Sequence, residues 1–133
     1  MLRRRVLFIC RDPALMLELH THFSPRTYEV FATPDYSATI RQVYELQPDV
    51  VLLVAQDARH DGWFASLTGL RGLSRVPIVT LIGTGNDADR VRAEAHGATA
   101  CFLPPFNGPH IAGLVGTLMR VRDAETVGDK QLG

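Results

Sequence analysis

Short runs that are apolar at every position alternate along the chain with longer stretches in which apolar residues recur every three or four places. A continuously apolar run suits a strand covered on both faces, and the wider spacing suits a helix with one buried side. The alternation therefore predicts a parallel sheet with helices on both faces, built from five β–α units. The first strand is expected over residues 4–10, centred on Val6, Leu7, Phe8 and Ile9. Asp12 is placed to cap the next helix and Pro13 to occupy its first position. That helix carries Met16, Leu19 and Phe23 on one side and stops before Pro25.

The second strand, 28–32, leads through Thr33-Pro34 to a helix with Tyr36, Ile40, Val43 and Tyr44 along one side. The third strand, Val50–Ala55, is apolar throughout. A loop with Asp57, His60 and Asp61 follows, then a helix with Trp63, Leu67 and Leu70. The fourth strand, Ile78–Ile82, is broken by Gly83-Thr84-Gly85, and its helix over 87–96 is closed by Gly97, which suits a left-handed turn. The fifth strand, 99–103, ends at Pro104-Pro105 before an amphipathic helix with Ile111, Leu114, Val115 and Leu118 inward. Beyond Val121 the polar sequence RDAETVGDKQLG reads as a frayed end or linker, which divides the chain into a folded unit, 1–122, and a polar tail, 123–133. No output domain, internal repeat or low-complexity tract is expected.

Composition adds few constraints. With 133 residues, 46% of them hydrophobic and 21% charged, the chain is sized for one compact core that needs no staples. Lys plus Arg equals Asp plus Glu at 14 each, so no net field favours nucleic acid or an anionic membrane. Arg3, Arg4 and Arg5 form the one basic cluster; the apolar run after them is too short for a secretory signal, and no stretch approaches a membrane span. Two cysteines, Cys10 and Cys101, agree with a reducing compartment, and a cytoplasmic location is expected.

Six local patterns fall in register over residues 4 to about 121: Asp12-Pro13-Ala14-Leu15, Pro48-Asp49-Val50-Val51-Leu52-Leu53, Asp61-Gly62, Val76-Pro77-Ile78-Val79, Gly97-Ala98 and Pro105-Phe106. Together they resemble the response-regulator receiver domains of two-component signalling. The resemblance implies a doubly wound (βα)5 fold of the flavodoxin-like, CheY-like kind, with the parallel strands in the order 2-1-3-4-5. It also assigns five functional positions, and this chain departs at each. The phosphate-accepting aspartate is replaced by Val54, and the acidic pair that holds a divalent metal by Cys10 and Arg11. The hydroxyl residue ending the fourth strand is replaced by Ile82, and the lysine of the fifth by Pro104. The aromatic that reports the switch is replaced by Cys101.

Clustered carboxylates without a metal repel one another, whereas Val54 and Ile82 pack without a counter-charge. Arg11 is placed to occupy the space of the lost metal and to pair with Asp12, Asp57 or Asp61, or else to lie in solvent. No metal, cofactor or catalytic residue is expected, and the chain is read as a non-enzyme.

Other patterns are weaker. Gly83-Thr84-Gly85-Asn86-Asp87-Ala88 has the spacing of a dinucleotide fingerprint, but it follows the fourth strand, and Asp87 and Asp89 would repel a pyrophosphate, so it reads as a βα loop. His20, His22, His60, His96 and His110 form no ligand pattern. Asp57 or Asp61 could accept phosphate only without a metal pair or a lysine to stabilise the transition state. Cys10 reads as a buried structural thiol rather than a reactive one. Of Trp63 and Phe64, one faces the core and the other could anchor a partner.

The expected function is that of a pseudo-receiver: a phosphorylation-independent signalling module acting by protein–protein interaction. The face used by receivers, the fourth helix, fifth strand and fifth helix, here carries Arg90, Glu94, His110, Gly113, Thr117 and Arg120. Its occupant would be another signalling protein or a second copy, with no nucleic acid and no membrane. The alternative is a small-ligand or redox sensor using an emptied pocket around Cys10, Val54, Ile82 and Pro104, since open parallel sheets place ligands at the carboxyl ends of their strands.

Overall fold

The computed structural model describes residues 3–59 and 62–132, with side chains as far as Ala124. The elements are β1 (Arg4–Ile9), α1 (Pro13–His20), β2 (Tyr28–Thr33), a 3-10 turn (Tyr36–Ala38), α2 (Thr39–Leu46), β3 (Val50–Ala55), α3 (Gly62–Leu73), β4 (Ile78–Ile82), α4 (Asp87–Ala95), β5 (Ala100–Phe102) and α5 (Gly108–Leu132). The five strands run parallel in the order β2-β1-β3-β4-β5.

Successive strand residues point to opposite faces, so each central strand feeds two cores. Leu7, Ile9, Val51, Leu53 and Ile82 pack with Trp63, Leu67 and Leu70 of α3. Val6, Phe8, Leu52 and Val54 pack with Leu19, Phe23, and Ile111 and Val115 of α5. Every residue of β3 is buried, as its unbroken apolar run predicts. Val54 therefore belongs to the core shared with α1 and α5.

Local signals set most element ends. The Asp12 carboxylate accepts from the N–H groups of Ala14 (3.0 Å) and Leu15 (3.2 Å), and Pro13 follows it into α1. Gly97 closes α4 at φ 121°, a region that favours glycine. The arginine cluster is spent on neighbours: Arg3 pairs with Glu29 at 2.9 Å, Arg4 with Asp123, and Arg5 Nη1 donates to the Leu46 carbonyl at 2.6 Å. Among the described residues, no helix is long and apolar enough to cross a membrane.

Three expectations need correction. Phe23 lies beyond α1: after His20 the chain tightens, with the Phe23 N–H bonded to the His20 carbonyl at 3.0 Å, and the ring still reaches the core edge-on to Phe8. Ile40 and Tyr44 are not core residues of α2, being 42% and 80% exposed; Tyr36 and Val43 are buried as expected, and Thr39, at the start of the helix after the 3-10 turn, joins Val43 on its inner face. Finally, α5 runs on to Leu132 rather than ending near Val121. The added stretch contains Ala, Glu, Lys, Gln and Leu, all good helix formers. Its start is tied down by Arg4–Asp123 and by Arg122 Nη1 donating to the Asp49 carbonyl at 2.9 Å.

Candidate functional site

At the carboxyl ends of the strands lies an open cleft of about 440 Å³. Val54, Ala55 and Gln56 form one wall, Gly83 and Thr84 a second, Pro104 and Phe106 a third, and the start of α1 with Asp12, Leu15 and Glu18 the fourth. Among the described residues, the charged groups of this lining are the carboxylates of Asp12 and Glu18.

Val54 is 2% exposed, and its main-chain carbonyl accepts a 2.6 Å hydrogen bond from the Tyr36 hydroxyl. Tyr36 is delivered by the 3-10 turn, which Asp35 caps by accepting from the Ser37 N–H (2.9 Å) and Ser37 Oγ (2.7 Å). Ser66 Oγ of α3 donates to the Tyr36 carbonyl at 2.8 Å. A Cβ on Gly62 would come within 2.8 Å of the Tyr36 ring, so α3 must begin with glycine for the ring to lie there. Burial pushes the Tyr36 hydroxyl pKa up, which keeps it a neutral donor.

Arg11 does not fill the cleft. Its Nε donates to the Pro34 carbonyl at 3.2 Å, and its guanidinium carbon sits 4.6 Å from the centroid of the Tyr36 ring. Arg11 is exposed, the second of the two expected states, with an aromatic face and a carbonyl beside it; Asp61, one of the three carboxylates proposed as its partner, lies outside the described residues, as does His60.

The Cys10 thiol is buried, donates to the Asp12 carbonyl at 3.4 Å, and has its pKa pushed up by desolvation. Cys101 is likewise buried, with its pKa raised by desolvation. Both are thiols at neutral pH, the state of a packing residue. Ile82 is wholly buried in the opposite core, so of the four residues expected around an emptied pocket only Val54 and Pro104 line it.

The glycines after β4 have a packing role. A Cβ at Gly83 would lie 2.6 Å from the Gln56 carbonyl oxygen, and the Gly83 N–H bonds the Ala55 carbonyl at 2.7 Å. Thr84 Oγ1 donates to the Gln56 carbonyl at 3.1 Å. At the start of α4, Asn86 and Asp89 satisfy each other's N–H groups in a capping box. Glycine therefore allows the ends of β3 and β4 to touch, and the helix start is occupied by its own side chains. Among the described residues, no group of three or more His, Cys, Asp or Glu could hold a metal ion.

No protein-family model matches the chain. Its sequence is 26% identical over 116 residues to the sensory transduction protein BceR of Halalkalibacterium halodurans, covering 87% of this chain and 50% of that protein. It is 28% identical over 103 residues to BceR of Bacillus subtilis, covering 77% and 44% respectively. The chain thus spans about half the length of the curated relatives it matches. Among solved structures, the BeF3-activated N-terminal receiver domain of Klebsiella pneumoniae RstA superposes with a TM-score of 0.77 at 20% identity, covering 88% of this chain and 99% of that one. A CheY-like response regulator receiver domain protein from Methanospirillum hungatei gives 0.81 at 15% identity, covering 93% and 99%.

The chain has the CheY-like fold of receiver domains and is similar in sequence to response regulators.

In this chain the expected interaction face is built from two helices on opposite sides of the edge strand β5. On α4, Arg90 pairs with Glu94 at 3.2 Å and with Asp87 at 3.5 Å. On α5, Thr117 Oγ1 donates to the Gly113 carbonyl at 3.1 Å, and Arg120 Nη2 reaches Thr117 Oγ1 at 3.1 Å. The His110 ring meets Phe102 of β5 edge-on, 5.6 Å between centroids. Neither aromatic of α3 stands bare: Trp63 is buried with Nε1 donating to the Ala58 carbonyl at 3.2 Å, and Phe64 lies under the Arg92 guanidinium at 3.8 Å.

Sequence reasoning missed Tyr36 as a residue of the site. It read as one apolar position of a helix stripe, yet a tyrosine placed in a core must find a partner for its hydroxyl, and that requirement was the available signal.

Proposed function

We propose that this receiver domain signals without phosphorylation, as a non-enzymatic module whose output is binding to another signalling protein. The observation that carries the reading is the state of the Val54 position: a buried aliphatic side chain, its carbonyl tied to Tyr36, beside a cleft whose charged groups are the carboxylates Asp12 and Glu18. Phosphoryl transfer requires an acceptor and cations around the transferring oxygens. In the register of the resemblance, Cys10, Arg11, Ile82 and Pro104 supply neither a metal pair, a hydroxyl nor an ammonium group. Partner binding is assigned to the α4–β5–α5 face with Arg90, Glu94, His110, Gly113, Thr117 and Arg120. A partner would act by preferring one conformation of the domain over another.

The test is an amide spectrum recorded before and after Mg²⁺ and beryllium fluoride are added. Unchanged resonances from Val54 to Gly62 and around Gly83 are expected; saturable shifts there would refute the proposal. A second reading, binding of a small ligand in the cleft, is favoured by its volume of about 440 Å³ and its mixed lining of Leu15, Phe106, Gln56 and Thr84. The redox version of that reading is disfavoured by the raised thiol pKa of Cys10.

A further inference from the structure

The outward side of α2 carries features that pair with themselves. Ile40 and Tyr44, one turn apart, are 42% and 80% exposed, and Leu73 at the end of α3 is 73% exposed. They border a groove of about 400 Å³ floored by Val43, Leu70 and Val76. Single exposed apolar residues are ordinary, but three around one groove form a patch. Along the other edge of the helix run Arg41 and Glu45, both exposed and again one turn apart.

We propose that a second copy of this chain docks here, with the two α2 helices packed antiparallel about a two-fold axis. A two-fold axis through the middle of the helix sets each edge against the same edge of the other copy, running in reverse. Arg41 then faces Glu45 of the second copy twice over, and Ile40 faces its Tyr44 twice over. A parallel pairing about a two-fold along the helices would set the Arg41–Glu45 edge against the Ile40–Tyr44 edge and leave the charges unmatched, so the placement of these four residues favours the antiparallel arrangement. The exposed Tyr44 ring of each copy enters the groove beside Ile40 and Leu73 of the other. An α2 of eight residues is only about 12 Å long, so the interface is small and the dimer reversible. It leaves the α4–β5–α5 face free and is independent of the phosphorylation-free reading.

Sedimentation equilibrium of the full chain over a concentration series tests it. A reversible monomer–dimer equilibrium is expected, weakened by about tenfold or more in Tyr44→Glu and in Arg41→Glu, with thermal melts unchanged because both side chains are exposed. The double change Arg41→Glu with Glu45→Arg exchanges the charges in both copies and restores the dimer. A monomer at every concentration, a dimer untouched by Tyr44→Glu, or a charge exchange that fails to restore association would overturn the proposal. So would a dimer that is lost through Arg120→Glu instead.

Discussion

Tyr36→Phe removes one oxygen from the molecule and leaves the aromatic ring in place. That oxygen donates at 2.6 Å to the Val54 carbonyl, between residues that are 8% and 2% exposed. Water does not replace it freely, so the carbonyl loses a partner at a cost of about 1–2 kcal/mol. For a domain of this size the unfolding midpoint should fall by roughly 3–8 °C. Equilibrium unfolding in urea should show a midpoint lowered by about 0.5–1 M with an unchanged slope. Tyr44→Phe is the control, since the Tyr44 side chain is 80% exposed, and it should stay within about 0.5 kcal/mol of the parent. Arg11→Ala acts on the ring face rather than the hydroxyl and should cost about 0.5–1 kcal/mol. If Tyr36→Phe proves as neutral as Tyr44→Phe, the bond to Val54 contributes nothing and the description of the strand end is wrong.

Three further outcomes are expected. Val54→Asp places a carboxylate at a 2% exposed position beside a cleft lined by Asp12 and Glu18, and should cost more than about 3 kcal/mol at neutral pH. Burial raises its folded-state pKa, so the deficit should shrink as pH falls toward about 4 in thermal melts, and a phosphoryl donor with Mg²⁺ should still leave no added mass. Gly83→Ala should lower the melting midpoint, by about 1–3 kcal/mol, because the new Cβ would lie 2.6 Å from a main-chain oxygen; Gly113→Ala, with open space on α5, should raise it by about 0.5–1 kcal/mol. Burial raises the Cys10 and Cys101 thiol pKa values in the folded state, so their contribution is whole below about pH 8.5 and is lost as pH rises through the folded values. Melts from pH 7 to 10 should decline, and the decline should flatten in a Cys10→Ala, Cys101→Ala variant.

The strands were legible because a buried central strand leaves an unmistakable mark: Val50–Ala55 has no polar residue to place, and every one of its side chains is covered. The caps at Asp12 and Gly97 were legible because each solves a local problem of the backbone. The inner face of α2 was not. Val43 and Tyr36 of the expected stripe are inside, but Ile40 and Tyr44 have spacing as good as that of Thr39 and Val43, and the chain enters the helix through a turn at Tyr36–Ala38 held to Val54 and Ser66. Of the two expectations for Arg11, a carboxylate partner or solvent, the exposed side chain agrees with the second, and the chain adds a ring and a carbonyl from the β2–α2 connection. Such pairings depend on segments far apart in the chain, and residue type alone does not reveal them.

The Tyr36 hydroxyl binds the peptide of residue 54, not its side chain. An anchor of that kind is blind to which amino acid stands there. Position 54 is thereby free to drift through alanine, isoleucine or cysteine at the cost of packing alone, with the strand end still held. At position 36 the bond is lost with any change, because tyrosine is the side chain that joins a ring for Arg11 to a hydroxyl long enough to reach the strand. In a library of variants at the two sites, apolar changes at 54 should act through packing and keep the strand-end bond, whereas every change at 36 should lose that bond.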